Sequence, residues 1–308
     1  MERVIIFALV GLAAQLVDGS LGMAYGVTSS TLLLAAGIAP AAASASVHLA
    51  EIGTTAVSGF SHWRFGNVDW GVVARIALPG AIGAFLGASV LSNLSTESAT
   101  PWMALILLGL GVYIISRFVF SRQPKVVGGS RPRTVFLAPL GLFAGFIDAS
   151  GGGGWGPVAT PTLLSTGKLD PRKVIGSVSA SEFAVALAAS LGFLAGLSGA
   201  GIDPLTVVGL LAGGVVAAPF AAYLVRRVSL PLLGALVGGV ILVTNTRTII
   251  RAFDVEQVWI YVVLAVIWAA LIALAVRKNR EQKAAASAEA TTAVEQAPDP
   301  DTEPTTVR

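Results

Sequence analysis

Apolar stretches almost free of charge follow one another along the whole chain, and several reach the ~20 residues that a helix needs to cross a hydrocarbon core. They cover residues 4–17, 26–39, 41–60, 71–91, 101–116, 134–147, 158–164, 174–197, 205–225, 230–244 and 258–276. Of 308 residues, 55% are hydrophobic and only 12% charged, and mean hydropathy is +0.79. A soluble domain of this size has too little interior to hide so much apolar sequence, so lipid must be part of the solvent. The stretches are rich in Gly and Ala, which lets helix backbones approach closely in a bundle; a barrel would show short alternating segments instead. The expected fold is an all-α polytopic membrane protein. With no cysteine present, a disulfide framework, thiolate metal sites and a cysteine nucleophile are excluded.

The N-terminal apolar run after Arg3 leads into Asp18-Gly19-Ser20 without a small-residue cleavage site, and reads as mature protein rather than a cleaved signal. From Arg277 onward the composition turns to charged, then Ala/Thr/Glu/Pro-rich sequence, which predicts a disordered tail over 277–308.

An internal repeat is the most specific signal. The segment ending at Ser20 matches the segment ending at Ser150 at a constant spacing of 130 residues, pairing Gly11 with Gly141, Asp18 with Asp148, Gly22 with Gly152 and Gly26 with Gly156. An aromatic precedes the last glycine both times, Tyr25 and Trp155. After a one-residue gap the register pairs Pro40 with Pro171, Ser46 with Ser177 and Glu51 with Glu182, and further on Asp69 and Asp203 both stand before an apolar run. Chance similarity of Ala/Gly-rich helices would not hold Asp, Pro and Glu in one order.

The first segment of each half, 4–36 and 134–166, has an awkward length. As one straight helix of ~33 residues it would be ~50 Å long, and as two full spans it is too short. A broken or re-entrant first helix, two half-helices joined by a loop at membrane depth, fits both; such backbone is tolerated only when buried in protein or lining a cavity. If each broken segment enters and leaves on one side, Arg64, Arg117, Arg122, Lys125, Arg131, Arg133, Lys168, Arg172, Lys173, Arg226, Arg227, Arg277, Lys278 and Arg280 all fall on one face, as the positive-inside bias requires. The halves are then inverted in the membrane, with a site at their interface. The expected organisation is a first transmembrane repeat at 1–120, a basic cytoplasmic linker at 121–133, and a second repeat at 134–251. An extra spanning helix follows at 252–276, then the cytoplasmic tail. Each repeat has three spanning helices after its broken one.

Intramembrane ionisable residues are candidates for function by default: Asp18, His48, Glu51, Asp148, Glu182 and Arg75. Two readings are open for Asp18 and Asp148, capping of a broken helix or lining of a site. Glu51 and Glu182, mid-helix, suit proton coupling, because a carboxylate in a low dielectric resists ionisation. His48 shares the Glu51 helix face and is open to a relay or a packing role. Arg75 reads as snorkelling, and Trp63, Trp70, Trp102 and Trp259 as interfacial anchors. Trp155, inside a break, could line the pathway. The glycine runs 19–26 and 151–156 lack a Lys-Ser/Thr ending, so they are not nucleotide loops. At the start of a half-helix they offer backbone N–H groups and a positive dipole end to a small anion. No catalytic triad or metal-ligand spacing stands out, and an enzyme is not expected.

The order Leu-Val-Asp-Gly-Ser-Leu-Gly-Met-Ala-Tyr-Gly, Pro40, Ser-Ala-Ser-Val-His-Leu-Ala-Glu, repeated as Phe-Ile-Asp-Ala-Ser-Gly-Gly-Gly-Gly-Trp-Gly-Pro through Ser-Ala-Ser-Glu, resembles the TauE/SafE family of sulfite exporters over about residues 4–275. The resemblance implies a secondary transporter, an exporter of sulfite or a related sulfur-containing anion. A channel with a glycine-rich filter, or an uptake permease for thiosulfate or organosulfonate, is the alternative. Substrate contacts are expected at Asp18, Gly19, Ser20, Gly22, Tyr25, Gly26 and Ser46, and at Asp148, Ser150, Gly152, Gly153, Trp155, Gly156 and Ser177; proton coupling is expected at Glu51, Glu182 and His48. No cofactor or metal is expected. The partners expected are the small anion and the bilayer of the cell (plasma) membrane, with a homodimer open and nucleic acid excluded. The C-terminus is expected in the cytoplasm.

Overall fold

The computed structural model describes residues 2–21, 23–120, 131–197, 201–224, 229–255 and 257–295. Among them the chain is entirely helical, without strands. The helices are α1 (Glu2–Leu21), α2 (Tyr25–Ala35), α3 (Pro40–Arg64), α4 (Trp70–Asn93) and α5 (Thr96–Ile115), the last ending in a π-helical turn at Ser116–Phe120. They continue with α6 (Thr134–Gly151), α7 (Trp155–Ser165), α8 (Pro171–Gly196), α9 (Pro204–Leu224), α10 (Leu230–Ala252) and α11 (Val258–Glu295). Each apolar stretch of the sequence became a helix. Six of them, α4, α5 with its π turn, α6, α8, α10 and α11 as far as Glu281, are long and apolar enough to cross a membrane. α3 is longer than several of these at 25 residues, but Ser44, Ser46, His48, Glu51 and Thr55, all buried, lower its hydropathy.

Local chemistry sets the helix starts. Pro40 and Pro171 open α3 and α8, where proline's missing N–H is no loss. Asp69 and Asp203, paired by the repeat, accept the first free N–H groups of α4 and α9, from Gly71 (2.9 Å) and Leu205 (3.0 Å).

The halves interlock through small residues. An added Cβ at Gly11 would run into the Leu210 backbone, and one at Gly141 into that of Ile76, so α1 lies against α9 as α6 lies against α4. α3 and α8 cross antiparallel: Ser58 Oγ meets Ser179 Oγ at 2.8 Å, while His48 faces Phe193. Arg3 and Phe7 at the start of α1 share a cavity with Ala36 and Ile38 after α2, and with Asp203 before α9. At the opposite end Arg131 pairs with Asp69 (2.8 Å). There Lys173 Nζ donates to Val68 O (3.2 Å) and Lys278 Nζ to Val119 O (2.6 Å). Large apolar side chains such as Leu78, Phe143, Val216 and Val266 stand exposed, as a lipid-facing surface requires, and Trp63, Trp70, Trp102 and Trp259 are exposed with them.

The composition break at Arg277 does not end a helix: α11 runs on to Glu295, helped by an Ala-rich run and an Arg277–Glu281 pair one turn apart (2.8 Å). Residues 296–308, and linker residues 121–130 with Arg122 and Lys125, lie outside the described residues, as do Arg226 and Arg227. Arg247 and Arg251 belong to α10.

Candidate functional site

Each first segment is interrupted: α1 ends at Leu21 and α2 begins at Tyr25, and α6 ends at Gly151 and α7 begins at Trp155. At both interruptions an aspartate seven residues upstream caps the second helix. Tyr25 N–H donates to Asp18 Oδ1 (3.1 Å) and Trp155 N–H to Asp148 Oδ1 (3.0 Å). The carboxylate thus fills the place where a helix N-terminus would hold an anion. By helix geometry the next N–H, of Gly26 or Gly156, has no partner in its own helix, and both glycines line the cavity described below.

The two interruptions touch. Gly26 Cα faces Gly153, where a Cβ on either residue would collide with the other's backbone. Ser30 Oγ donates to Gly152 O, and Ser44 Oγ to Ala149 O (2.7 Å). Gly152 and Gly153, with φ of +75° and +146°, bend the chain so that this approach is possible.

His48 ties the first half to the second. Its Nδ1 lies 2.8 Å from Ser44 O and its Nε2 lies 3.1 Å from Asp148 Oδ2. A carbonyl oxygen only accepts, so Nδ1 carries hydrogen. The Nε2–carboxylate contact then holds a second proton, on the ring or on the acid. Glu51 Oε2 lies 4.0 Å from the same Nε2 and, buried, has no hydrogen-bond partner among the described residues.

A cavity of about 440 Å³ has Asp18, Glu51, Asp148 and Glu182 in its wall, with Tyr25, Gly26 and Gly156. It also reaches His62, Arg117, Pro171 and Leu230, at the end of the bundle that carries Arg131 and Lys173. A second cavity, at the Arg3 end, shares no residue with it; fully buried Leu33, Ala43 and Val47 are among the packing that fills the protein.

Residues 7–248 match the model of the family described as "Sulfite exporter TauE/SafE". The chain is also 50% identical over 285 residues, 90% of its length and 94% of the other protein's, to the "Probable membrane transporter protein YtnM" of Bacillus subtilis (strain 168). This chain belongs to the TauE/SafE family. It is a multi-pass membrane transporter and, by its family, not an enzyme. No solved structure matches it.

Not every residue expected to serve this TauE/SafE transporter reaches the cavity. Ser46 lines the cavity at the Arg3 end, and Ser177 Oγ accepts from Asp69 N–H (2.8 Å), steadying the turn before α4. Both serines are five residues from their glutamate, about 140° around a helix, so they face away from it. Ser150 donates back to Phe146 O (2.6 Å). Trp155 is not in the cavity wall: it is fully buried against Gly80, its indole N–H donating to Val178 O (3.1 Å). Gly152 and Gly153 serve the crossing and not the wall. Gly22 lies outside the described residues, as do the side-chain surroundings of Gly19 and Ser20.

Other cavity residues were legible in the helical periodicity. Ser58 and His62 follow Glu51 by two and three helical turns, within ~20° of its face, and Ile175 and Pro171 stand likewise before Glu182, with Ser179 ~60° to one side. Arg117 was hidden, because a π turn adds a residue and rotates the rest of the helix by ~100°.

Proposed function

We propose that this TauE/SafE chain is a secondary carrier that exports sulfite or a related small sulfur-containing anion by alternating access, coupled to protons. In this reading its two halves are inverted in the plasma membrane, and α1–α2 and α6–α7 are re-entrant hairpins that enter from opposite sides. The observation that carries the reading is a cavity whose floor is the pair of touching, aspartate-capped interruptions and whose wall runs to Arg117 and His62 at the basic end of the bundle. A carrier at rest has this form, with a central site open to one side and packed shut toward the other. The basic end is then cytoplasmic, and the C-terminus lies on that side.

The contacts support the inversion. Gly11–Leu210 becomes Gly141–Ile76, and Gly26–Gly153 becomes Gly156–Met23, when each residue is replaced by its repeat partner. Equivalent helices α3 and α8 run antiparallel, which needs a two-fold axis across them and hence in the membrane plane. Proton coupling draws support from the His48–Asp148 pair, which holds a proton beside the unpartnered Glu51 oxygen.

Sulfite-loaded proteoliposomes of the full chain test the reading. A carrier accumulates labelled sulfite by counterflow, and a channel does not. With a panel of sulfite, thiosulfate, sulfate and an organosulfonate, preference for an uncharged solute would refute the anion assignment. If Glu51→Gln and Glu182→Gln both keep wild-type pH dependence of flux, proton coupling through these glutamates is ruled out.

A further inference from the structure

We propose that Arg117 and His62 form an anion-docking subsite at the mouth of the cavity, where the negative oxygens of a sulfite-like substrate are held before the helices rearrange. This rests on the transport reading above and names a site within it. The cavity wall carries four carboxylates, Asp18, Glu51, Asp148 and Glu182. An anion that advanced to them unaided would meet like charge. Arg117 is the one Lys or Arg of the described residues in that wall. It makes no ion pair or side-chain hydrogen bond with any described residue, and it is partly buried. Its position comes from the π-helical turn Ser116–Phe120, a distortion that recurs at functional sites because it re-aims side chains. From the last turns of α3, His62 lines the same cavity, with Nδ1 buried and without a hydrogen-bond partner among the described residues. A buried polar nitrogen left unpaired is unfavourable unless a ligand or water satisfies it. An oxyanion accepts from a guanidinium fork and from an imidazole N–H, and both groups line this one cavity. Sulfite, thiosulfate and an organosulfonate share the required chemistry, a pyramidal or tetrahedral sulfur centre with several anionic oxygens.

The test uses the full chain in proteoliposomes with sulfite as the probe, comparing wild type with Arg117→Gln, Arg117→Lys and His62→Gln. Loss of one charge-assisted hydrogen bond predicts a half-saturating sulfite concentration ~10- to 100-fold higher for Arg117→Gln. Its maximal rate should stay within about threefold, since the residue holds substrate and does not shape the helices. Arg117→Lys should restore part of the affinity, as a point charge without the fork; His62→Gln should weaken binding less. Sulfite-induced thermal stabilisation of the purified protein provides a readout independent of flux, and should fall in the same order. Unchanged half-saturation and unchanged stabilisation in Arg117→Gln would overturn the subsite while leaving the carrier intact. A lowered maximal rate at constant half-saturation would overturn it too, pointing to a structural role. If the wild type neither exchanges nor is stabilised by sulfite, the substrate assignment fails, and the docking of sulfite at Arg117 fails with it.

Discussion

Gly153→Ala should be among the most damaging small substitutions in this protein. The residue sits at φ +146°, a region in which side chains are strained by about 1–3 kcal/mol. Its new Cβ would also stand within 3.0 Å of Val27 N, Gly26 C and Gly26 Cα. These are backbone atoms that cannot rotate aside, so overpacking adds about 1–3 kcal/mol. Two controls separate these effects. Gly201 also has a positive φ, +83°, but nothing lies within 4 Å of a Cβ there, so Gly201→Ala carries only the backbone strain, about 1–2 kcal/mol. Gly156 has no positive φ, and a Cβ would meet Met23 at 3.1 Å, a contact that a small shift relieves. Thermal unfolding in detergent micelles, read at about 2–4 °C per kcal/mol, should therefore rank Gly153→Ala well below Gly201→Ala, and Gly201→Ala below Gly156→Ala. Sulfite counterflow should be lost in the first and kept in the other two. A Gly153→Ala protein as stable and active as Gly201→Ala would refute the claim that the two interruptions are in contact.

The capping aspartates should be unequal. Asp18→Ala removes one cap, worth about 1 kcal/mol, whereas Asp148→Ala also strands the buried His48 ring, adding about 1–3 kcal/mol; equal melting losses would contradict the His48–Asp148 pairing. Asp69 predicts a modest acid sensitivity. Burial raises its carboxyl, but hydrogen bonds from Arg131, Val72 N–H and Gly71 N–H outweigh this and leave it below its ordinary value of 3.8. Because the folded state holds the ionised form more tightly, that stability is present above pH 3.8 and is lost as pH falls through the lower folded value. Asp69→Asn should flatten the fall in melting temperature below pH 4, and an unchanged slope would show that the pair contributes nothing. The effect should also weaken with salt, since Arg131 is 57% exposed. His48→Asn should shift the pH dependence of sulfite flux as well as lowering stability; loss of stability alone would mean that the histidine only packs.

The chain's own order of residues determined that lipid surrounds it, where most of its helices begin, and that two segments are interrupted just after matched aspartates. These features are local: apolar run length, proline and aspartate at helix starts, and glycine at breaks act through near neighbours in sequence. Which side of each helix meets the cavity was decided by tertiary packing. Ser46 and Ser177 share motifs with Glu51 and Glu182 but point elsewhere, Trp155 is sealed in the core, and His48 finds Asp148 a hundred residues away. In a water-soluble helix the apolar stripe would mark the inner face. Here lipid and protein interior are almost equally apolar, so composition barely distinguishes one face from another. The choice falls to glycine-sized gaps between helices distant in sequence, and to a π turn that swings Arg117 inward.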